Sequence, residues 1–320
     1  MNKKNGQIFV VALWVLMILT TLVLSLGHRV SLGLHLSRYH KDRFQAGLLA
    51  RAAVNRAIAE IKHDEDVDVD SMRDSWADNK VLFEKMVVSA ASPGYAAVSY
   101  IEPDDLLQEE HFGVVDEERK ININAAPKQL IIALMQELGV PLAEEAANAI
   151  LIWRGDIPDK DRVYDKLGYP AKADSFENLS ELSLVAGLSA EDVRKLQPWF
   201  SVFGPQTPSV NINTVSRRTL SVIGRYAAEE AKIKPEVADS VVMKIVDLRA
   251  QKGYFKDTGD LSTVYSGDDE TNLMNRLLSL FVFKSNFFLI RATGDVHRVK
   301  RECRVVFDRK EGKIVYFHER

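Results

Sequence analysis

Four aspartates lie close enough together in the sequence to bind one metal ion. Asp156, Asp159, Asp161 and Asp165 fall within ten residues. Ca²⁺ takes about six to eight oxygen ligands, and a loop can wrap several carboxylate and carbonyl oxygens around it. The spacing differs from that of an EF-hand. The loop is therefore a candidate calcium site, and a solvated acidic loop is the interpretation that these residues alone favour.

Two other acidic stretches carry weaker signals. The stretch YSGDDETN contains three adjacent carboxylates at 268–270 and is a second, weaker calcium candidate. The stretch HDEDVDVDSMRDSW, residues 63–76, is polar and acidic. Because acidic runs of this kind are usually solvated, we expect a surface loop or short helix there.

Motifs for enzymatic chemistry are missing from the sequence. It contains no Walker-type phosphate loop, no G-x-S-x-G elbow and no H-E-x-x-H, and Cys303 is the only cysteine. The histidines are scattered, and the formal net charge is -3. An enzyme is therefore not predicted, and an intrachain disulfide is excluded.

The middle of the chain contains an internal sequence repeat. Four blocks recur in the same order: Asn-Ile-Asn at 122–124 and 211–213, a helical stretch that ends at Arg154 and Arg249, a Phe-x5-Leu block that begins at Phe176 and Phe255, and an apolar run at 196–203 and 277–283. A shared order of four blocks indicates a duplication. The two units cover about 120–203 and 209–283.

The repeated Asn-Ile-Asn precedes a helical pattern in both units. Asn is a strong N-cap residue because its side chain accepts hydrogen bonds from free amides at a helix start. Pro127 also suits a first helical turn, where its missing amide costs nothing. We therefore predict that Asn124 and Asn213 cap helices rather than bind a ligand.

Paired short helices also suggest helix-hairpin-helix modules, which offer backbone amides to nucleic-acid phosphates. None of the corresponding turns has glycine at both of the bracketing positions; the turns are LGVPLAEE, VAGLSAED and KIKPEVAD. Acidic residues also outnumber basic ones in 120–282. A protein that neutralises several phosphates needs a surplus of positive charge. A membrane-anchored nucleic-acid receptor is therefore the alternative function, and no nucleic acid is expected as a partner.

The N-terminus predicts a membrane helix. A short basic leader, MNKKNG, precedes QIFVVALWVLMILTTLVLSLG, which contains no charged residue. The run is long enough to cross most of a hydrocarbon core of roughly 30 Å. It lacks a signal-peptide cleavage site, so we expect it to be retained, with the leader cytoplasmic and the rest outside.

The helical pattern continues beyond the apolar run and predicts an amphipathic helix that packs on a soluble domain. Its expected apolar face is Leu32, Leu36, Phe44, Leu48, Ala52, Val54, Ala57 and Ile61. Alternation predicts strands near 95–102 and 111–116. It also predicts three C-terminal strands joined by turns at Gly294-Asp295 and Glu311-Gly312.

These elements predict an α+β protein in which one antiparallel sheet is interrupted by a helical insertion. The expected division is a leader at 1–6, a hydrophobic and then amphipathic helix at 7–62, an α/β domain at 63–120 and 284–320, and an all-α insertion at 121–283.

The combination resembles the minor pseudopilin K family of bacterial type II secretion systems. The resemblance spans nearly the whole chain and is carried by the leader with its apolar helix, DEERKININAA, YDKLGYPAKADSFENLSELSLVAGL, VNINTVS and SNFFLIRA. It implies a pilin-like sheet and cleavage by the prepilin peptidase after Gly6, with methylation of Gln7. Gln7 departs from the family, which generally has an apolar residue there.

The resemblance also implies a place in assembly. Most pilin-like proteins carry Glu five residues after the cleavage point, and this chain has Val11, as is typical of pseudopilin K. A carboxylate in an apolar environment is costly without a cationic partner, so its loss suits a tip subunit.

The implied function is that of a minor pseudopilin that caps and nucleates the periplasmic pseudopilus and supports protein secretion. The implied partners are minor pseudopilins I and J, the major pseudopilin, the prepilin peptidase and the inner-membrane assembly platform. The implied location is the inner membrane, single-pass, with the C-terminal domain in the periplasm. Family members bind calcium in the helical domain, which favours the Asp156–Asp165 loop without assigning its ligands.

Overall fold

The structure is a computed structural model that describes residues 3–64, 66, 68–88 and 93–320, with side chains from residue 8 onward. The strands in chain order are β1 (Gly94–Val98), β2 (Tyr100–Ile101), β3 (Glu110–His111), β4 (Val115–Asp116), β5 (Ile121–Asn122), β6 (Phe200–Ser201), β7 (Val210–Asn211), β8 (Phe281–Val282), β9 (Phe287–Val296), β10 (Val299–Asp308) and β11 (Lys313–Glu319). The helices are α1 (Lys3–Lys62), α2 (Lys80–Phe83), α3 (Lys128–Glu137), α4 (Ala143–Arg154), α5 (Ala190–Leu196), α6 (Arg217–Ala231), α7 (Pro235–Lys252) and α8 (Asp268–Leu278).

Helix α1 is one continuous element of 60 residues. At about 1.5 Å per residue it extends roughly 90 Å. Its side chains from Ile8 to Lys41 are exposed, and burial begins only near Ala46. The helix therefore has an unpacked apolar half and a half that packs on the rest of the protein.

The packed face of α1 differs from the predicted one. Its buried residues are Ala46, Leu49, Ala50, Ala53, Val54, Ala57 and Ile61. Leu32, Leu36, Phe44 and Leu48, which were predicted to face the core, are instead about half exposed or more. The actual face follows small residues, which let the helix backbone approach the sheet closely.

The main sheet is antiparallel, as predicted. Its order is β1-β9-β10-β11, and β4 pairs with one end of β9. The hairpin between β10 and β11 lies at the predicted turn. The preceding turn is at His297 and Arg298, both with positive φ, so Gly294 lies within β9 rather than in the turn.

Gly294 marks the closest contact between the helix and the sheet. A Cβ atom at this position would lie 2.0 Å from the carbonyl oxygen of Ala46 and 2.9 Å from the amide nitrogen of Ala50. Only glycine permits this approach. The buried face of α1 and one face of β1, β9 and β10 enclose a core that includes Trp76, Phe288 and Phe307.

The segment between β4 and β9 is mostly helical and has its own core. That core runs without interruption from Ile121 in the first unit to Phe281 in the second. Each unit is closed by a short parallel strand pair: β5 with β6 in the first, and β7 with β8 in the second. In both units, the strand pair joins the first of the repeated sequence blocks to the last.

Candidate functional site

The exposed half of α1 is the largest unpacked apolar surface of the described residues. An 18-residue window of this helix has a mean hydropathy of 2.7, and none of that window is buried within the protein. Val11 is 61% exposed and Trp14 62%. Exposure of this extent is stable only in a lipid environment or against other apolar helices.

The predicted processing site lies at the start of this helix. The backbone of Gly6 and Gln7 belongs to α1, while Met1 and Asn2 lie outside the described residues. The side chain of Gln7 also lies outside the description. Cleavage after Gly6 and methylation of Gln7 stay predictions.

The repeated asparagines join the start of each unit to a distant loop. In the first unit, Asn124 Nδ2 donates to the Phe176 carbonyl oxygen at 2.9 Å, and its Oδ1 accepts from the Phe176 amide at 2.8 Å. In the second unit, Asn213 makes the same two hydrogen bonds to Phe255, at 2.9 and 2.8 Å. Each asparagine therefore pairs with a backbone in the manner of a strand.

The predicted helix-capping role of Asn124 and Asn213 is wrong. Helix α3 begins after Pro127 without a side-chain cap, and α6 is capped by Ser216, which accepts from the Thr219 amide at 3.1 Å. The asparagines lie too early in the chain to reach the first free amides of these helices.

A buried arginine holds the same turn in both units. Arg249 Nη1 donates to the carbonyl oxygens of Ile212 and Val215, at 2.7 and 2.9 Å. Arg154 Nη1 likewise donates to Ile123 and Ala126. Burial lowers the pKa of Arg249 to about 10, so it remains a cation at neutral pH. The duplicated Asn-Ile-Asn and Arg blocks are thus two parts of one repeated hydrogen-bonded turn.

The second unit is attached to the sheet through a buried carboxylate in β4. Asp116 Oδ2 accepts from Thr214 Oγ1 at 2.5 Å, from Ser285 Oγ at 2.7 Å and from Asn211 Nδ2 at 3.1 Å. Burial raises the pKa of Asp116, and the hydroxyl donors oppose that shift. Because buried polar groups are costly without partners, this cluster fixes the helical part relative to the sheet.

The acidic segment at 63–76 joins the same cluster. Asp70 is fully buried and forms a two-pronged ion pair with Arg309, at 2.8 and 2.5 Å. It also accepts from the Ser285 amide at 2.6 Å. Burial raises the pKa of Asp70 to about 7, although the Arg309 charge acts in the opposite direction. The prediction of a solvated surface loop is therefore wrong at Asp70.

Three carboxylates of this segment converge. Asp64, Asp70 and Asp74 place one oxygen each within 4.8 Å of one another and could hold a metal ion. Arg309 lies among them, with Nη1 3.7 Å from Asp64. Burial raises the pKa of Asp74 to about 6. The guanidinium thus already supplies positive charge that a cation would otherwise bring.

The predicted calcium ligands lie in a loop where three of them have other partners, including Asp165, which lies 3.8 Å from Arg162 Nε. Asp159 accepts from the amides of Val163 and Tyr164, at 2.8 and 3.0 Å, and Asp156 forms an ion pair with Arg154. Asp161 and Asp165 are exposed. Among the described residues, the carboxylates that converge within 4.8 Å are those of the 64–74 triad. Calcium at 156–165 stays a prediction.

Sequence reasoning missed the 64–74 triad and the Asp116 cluster. The partners of Asp70 and Asp116 lie up to 239 residues away in the chain, so no local spacing revealed them. One available signal was Trp76, a large apolar residue at the end of the acidic run, which is fully buried.

The described residues form an α+β fold in which the second half of a long apolar N-terminal helix packs on an antiparallel sheet. A solved structure with the same fold is GspK in the crystal structure of the GspK-GspI-GspJ complex from the type 2 secretion system of enterotoxigenic Escherichia coli. The match has a TM-score of 0.65 and 16% sequence identity, and covers 89% of this chain and 99% of that one.

One stretch at the centre of the chain matches a family model. Residues 106–205 match the family model described as type II secretion system (T2SS), protein K. This match covers about a third of the 320-residue chain and is a similarity to that family. No curated protein matches the chain at a comparable level of significance.

Proposed function

We propose that this chain is the minor pseudopilin that caps and nucleates the periplasmic pseudopilus of a type II secretion system. It assembles with minor pseudopilins I and J through its N-terminal helix, and the three together meet the major pseudopilin and the inner-membrane assembly platform. The observation that carries the proposal is the exposed apolar half of α1 joined rigidly to the sheet.

The N-terminal helix supports assembly in two stages. Before assembly, its apolar half fits a bilayer by length and composition. After assembly, the same side chains would be covered by neighbouring helices. Val11 is exposed and uncharged, so this subunit brings no carboxylate that would require a cation from a subunit above it.

The helical part supports a terminal position. It has a core of its own and is held to the sheet by the Asp116 cluster. We propose that residues 121–283 are an inserted domain between the two parts of a pilin-like domain, 63–120 and 284–320. A bulky insertion beside the sheet suits a single cap subunit better than a repeating one.

The proposed route to the filament begins in the inner membrane. The chain inserts with its leader, residues 1–6, in the cytoplasm and its C-terminal domain in the periplasm. The prepilin peptidase then cleaves after Gly6, and Gln7 becomes the methylated N-terminus. The match of fold to GspK supports this route.

Substitution at the leader glycine tests the proposal. In secreting cells, Gly6→Val should leave the chain at precursor mass and abolish secretion, while mature wild-type chain should begin at Gln7. Gly33→Val is the matched control: Gly33 lies on the exposed face of α1 with open space around it. Normal secretion by the Gly6→Val variant would overturn the assignment.

Calcium binding by the 156–165 loop is the remaining part of the proposal. Ca²⁺ added to the chelated protein should raise the melting temperature, and Asp161→Asn with Asp165→Asn should abolish that rise. Asp74→Asn is the comparison variant, because it removes a ligand from the other acidic group. Loss of the rise in Asp74→Asn alone would place the ion at 64–74 instead.

A further inference from the structure

A groove of about 680 Å³ lies between the sheet and the helical part, on the sheet face opposite α1. Its floor is the outward row of β9, β10 and β11. In that row, Arg291 is directly opposite Arg304, and Arg304 is directly opposite His318. Like charges opposite one another on neighbouring strands destabilise a sheet. The floor therefore places two guanidinium groups opposite each other on neighbouring strands.

The arginines of the floor are partly buried, and each has one buried nitrogen atom without a partner. The Nε atoms of Arg291 and Arg304 are buried and have no hydrogen-bond acceptor within the described part of the chain. For Arg304, the one side-chain contact is a long one, 3.5 Å to Glu302. Arg291 makes no side-chain hydrogen bond or ion pair with a described residue. Burial lowers the pKa of Arg291, and the neighbouring positive charge of Arg304 lowers it further.

The carboxylates nearest these arginines are already engaged. Glu302 accepts from Arg320 at 2.7 and 3.1 Å. Glu117 pairs with Lys120 through one oxygen and with the Ser201 hydroxyl, at 2.6 Å, through the other. Among the described residues, Arg291 has no carboxylate partner, and Arg304 has only the long contact to Glu302 Oε1 at 3.5 Å.

The walls of the groove are apolar as well as charged. Trp199 and Phe203 come from the helical side, and Tyr316 from β11. The loop between β2 and β3 forms one rim and carries two strongly exposed leucines, Leu106 at 98% and Leu107 at 79%. A ligand that satisfies both features has a carboxylate beside apolar groups.

We propose that this groove binds an extended acidic segment of a partner protein, with a side-chain carboxylate held between Arg291 and Arg304 and apolar side chains against the rim. Arginine binds carboxylates through two parallel hydrogen bonds, which adds both strength and geometry. A partner carboxylate would supply the acceptors that the paired arginines lack and would screen their repulsion. This site is separate from the exposed half of α1 and does not depend on filament assembly.

Peptide binding to the full-length chain in non-ionic detergent micelles tests the site. The probe is a fluorescent hexapeptide of alternating Leu and Glu, and its controls are the same peptide with Gln for Glu, and inorganic phosphate as competitor. We expect the Glu peptide to bind at least tenfold more tightly than the Gln peptide. Equal binding of the two peptides would refute the proposal, and displacement by phosphate at matching concentrations would show a simple anion site instead.

Charge-matched variants assign the effect to the groove. R291Q and R304Q should each weaken Glu-peptide binding at least tenfold, because each variant removes one of the two guanidinium groups that bind the carboxylate. R298Q removes the same charge from the exposed β9–β10 turn and should bind as the wild type does. The melting temperature of R291Q should not fall, since the substitution removes a repulsive pair. Wild-type affinity in either folded variant, or equal loss in R298Q, would overturn the assignment.

Discussion

Substitution of the two repeated asparagines tests the hydrogen-bonded turn that defines each unit. Asn213→Ala removes two hydrogen bonds to the Phe255 backbone at a site where the asparagine is only 2% exposed. Asn124→Ala removes the same two bonds to Phe176, at distances of 2.9 and 2.8 Å, from a half-buried asparagine. The two variants therefore differ in burial but not in geometry.

The expected loss follows from what happens to the backbone groups left behind. Each hydrogen bond contributes about 1 kcal/mol net, and a buried group without a partner costs about 1–3 kcal/mol. For Asn213→Ala we expect a loss of about 3 kcal/mol, because water cannot reach the Phe255 backbone. For Asn124→Ala we expect about 1 kcal/mol: Phe176 is buried as Phe255 is, but Asn124 itself is partly exposed, so water can enter the space that its side chain leaves.

The assay is thermal unfolding of the full-length chain in non-ionic detergent, together with hydrogen exchange at the two phenylalanine amides. At about 2–4 °C per kcal/mol, the melting temperature should fall by roughly 6–12 °C for Asn213→Ala and roughly 2–4 °C for Asn124→Ala. The Phe255 amide should lose protection in the first variant only. Asn275→Ala, on the exposed side of α8, is the control. Equal losses in both units, or a loss no greater than the control, would refute the reasoning.

Three further outcomes are expected. Gly294→Ala should destabilise the protein by several kcal/mol, because its Cβ would lie 2.0 Å from the Ala46 carbonyl oxygen. The control is Gly312→Ala, which lies in open space at φ +66° and should cost about 1–2 kcal/mol. The melting temperatures of the two variants should therefore differ, and equal melting temperatures would contradict the close contact. Burial raises the pKa of Asp70 from 3.8 to about 7, so the folded state binds the proton of Asp70 more tightly than the unfolded state does. Protonated Asp70 therefore contributes its full stabilisation below about pH 4. That contribution is lost as the pH rises to about 7, by up to about 1.4 kcal/mol per pH unit. Unfolding measured from pH 4 to 8 should show this slope in the wild type and a smaller slope in Asp70→Asn, and identical slopes would contradict the assignment. Arg249→Gln should destabilise by about 2–4 kcal/mol in urea unfolding, because it leaves the Ile212 and Val215 carbonyls without their shared donor; a loss below 0.5 kcal/mol would contradict that role.

The elements that could be read from the sequence are those with local or repeated signals. The C-terminal strands follow from alternation, and the duplication follows from four blocks in one order. Both depend on neighbours along the chain or on comparison of the chain with itself. The same reasoning failed for Asn124, because its partner, Phe176, lies 52 residues away and no spacing rule connects them.

The packed face of α1 shows a different limit. Leu36 and Leu48 follow helical spacing, so they were assigned to the core, yet Leu36 is 51% exposed and Leu48 49%. Hydrophobic periodicity identifies an apolar face but does not say what covers it. In this helix, whose N-terminal half is apolar and exposed, small residues such as Ala50 mark the intramolecular contact better than leucines do.

The order of the strands in the main sheet has a consequence during synthesis. Strand β9 is hydrogen-bonded to β1, β4 and β10, and the face of α1 from Ala46 to Ile61 rests on it. About 230 residues separate that helical face from β9, so at 5–20 residues per second the nascent helix waits roughly 10–50 s for its partner. Throughout this interval, the face of α1 that later packs on β9 stays uncovered. We therefore expect ribosome-bound chains arrested before Phe287 to be cross-linked to chaperones through Ala50 and Ala53, and chains arrested well beyond Asp308 to have lost those cross-links.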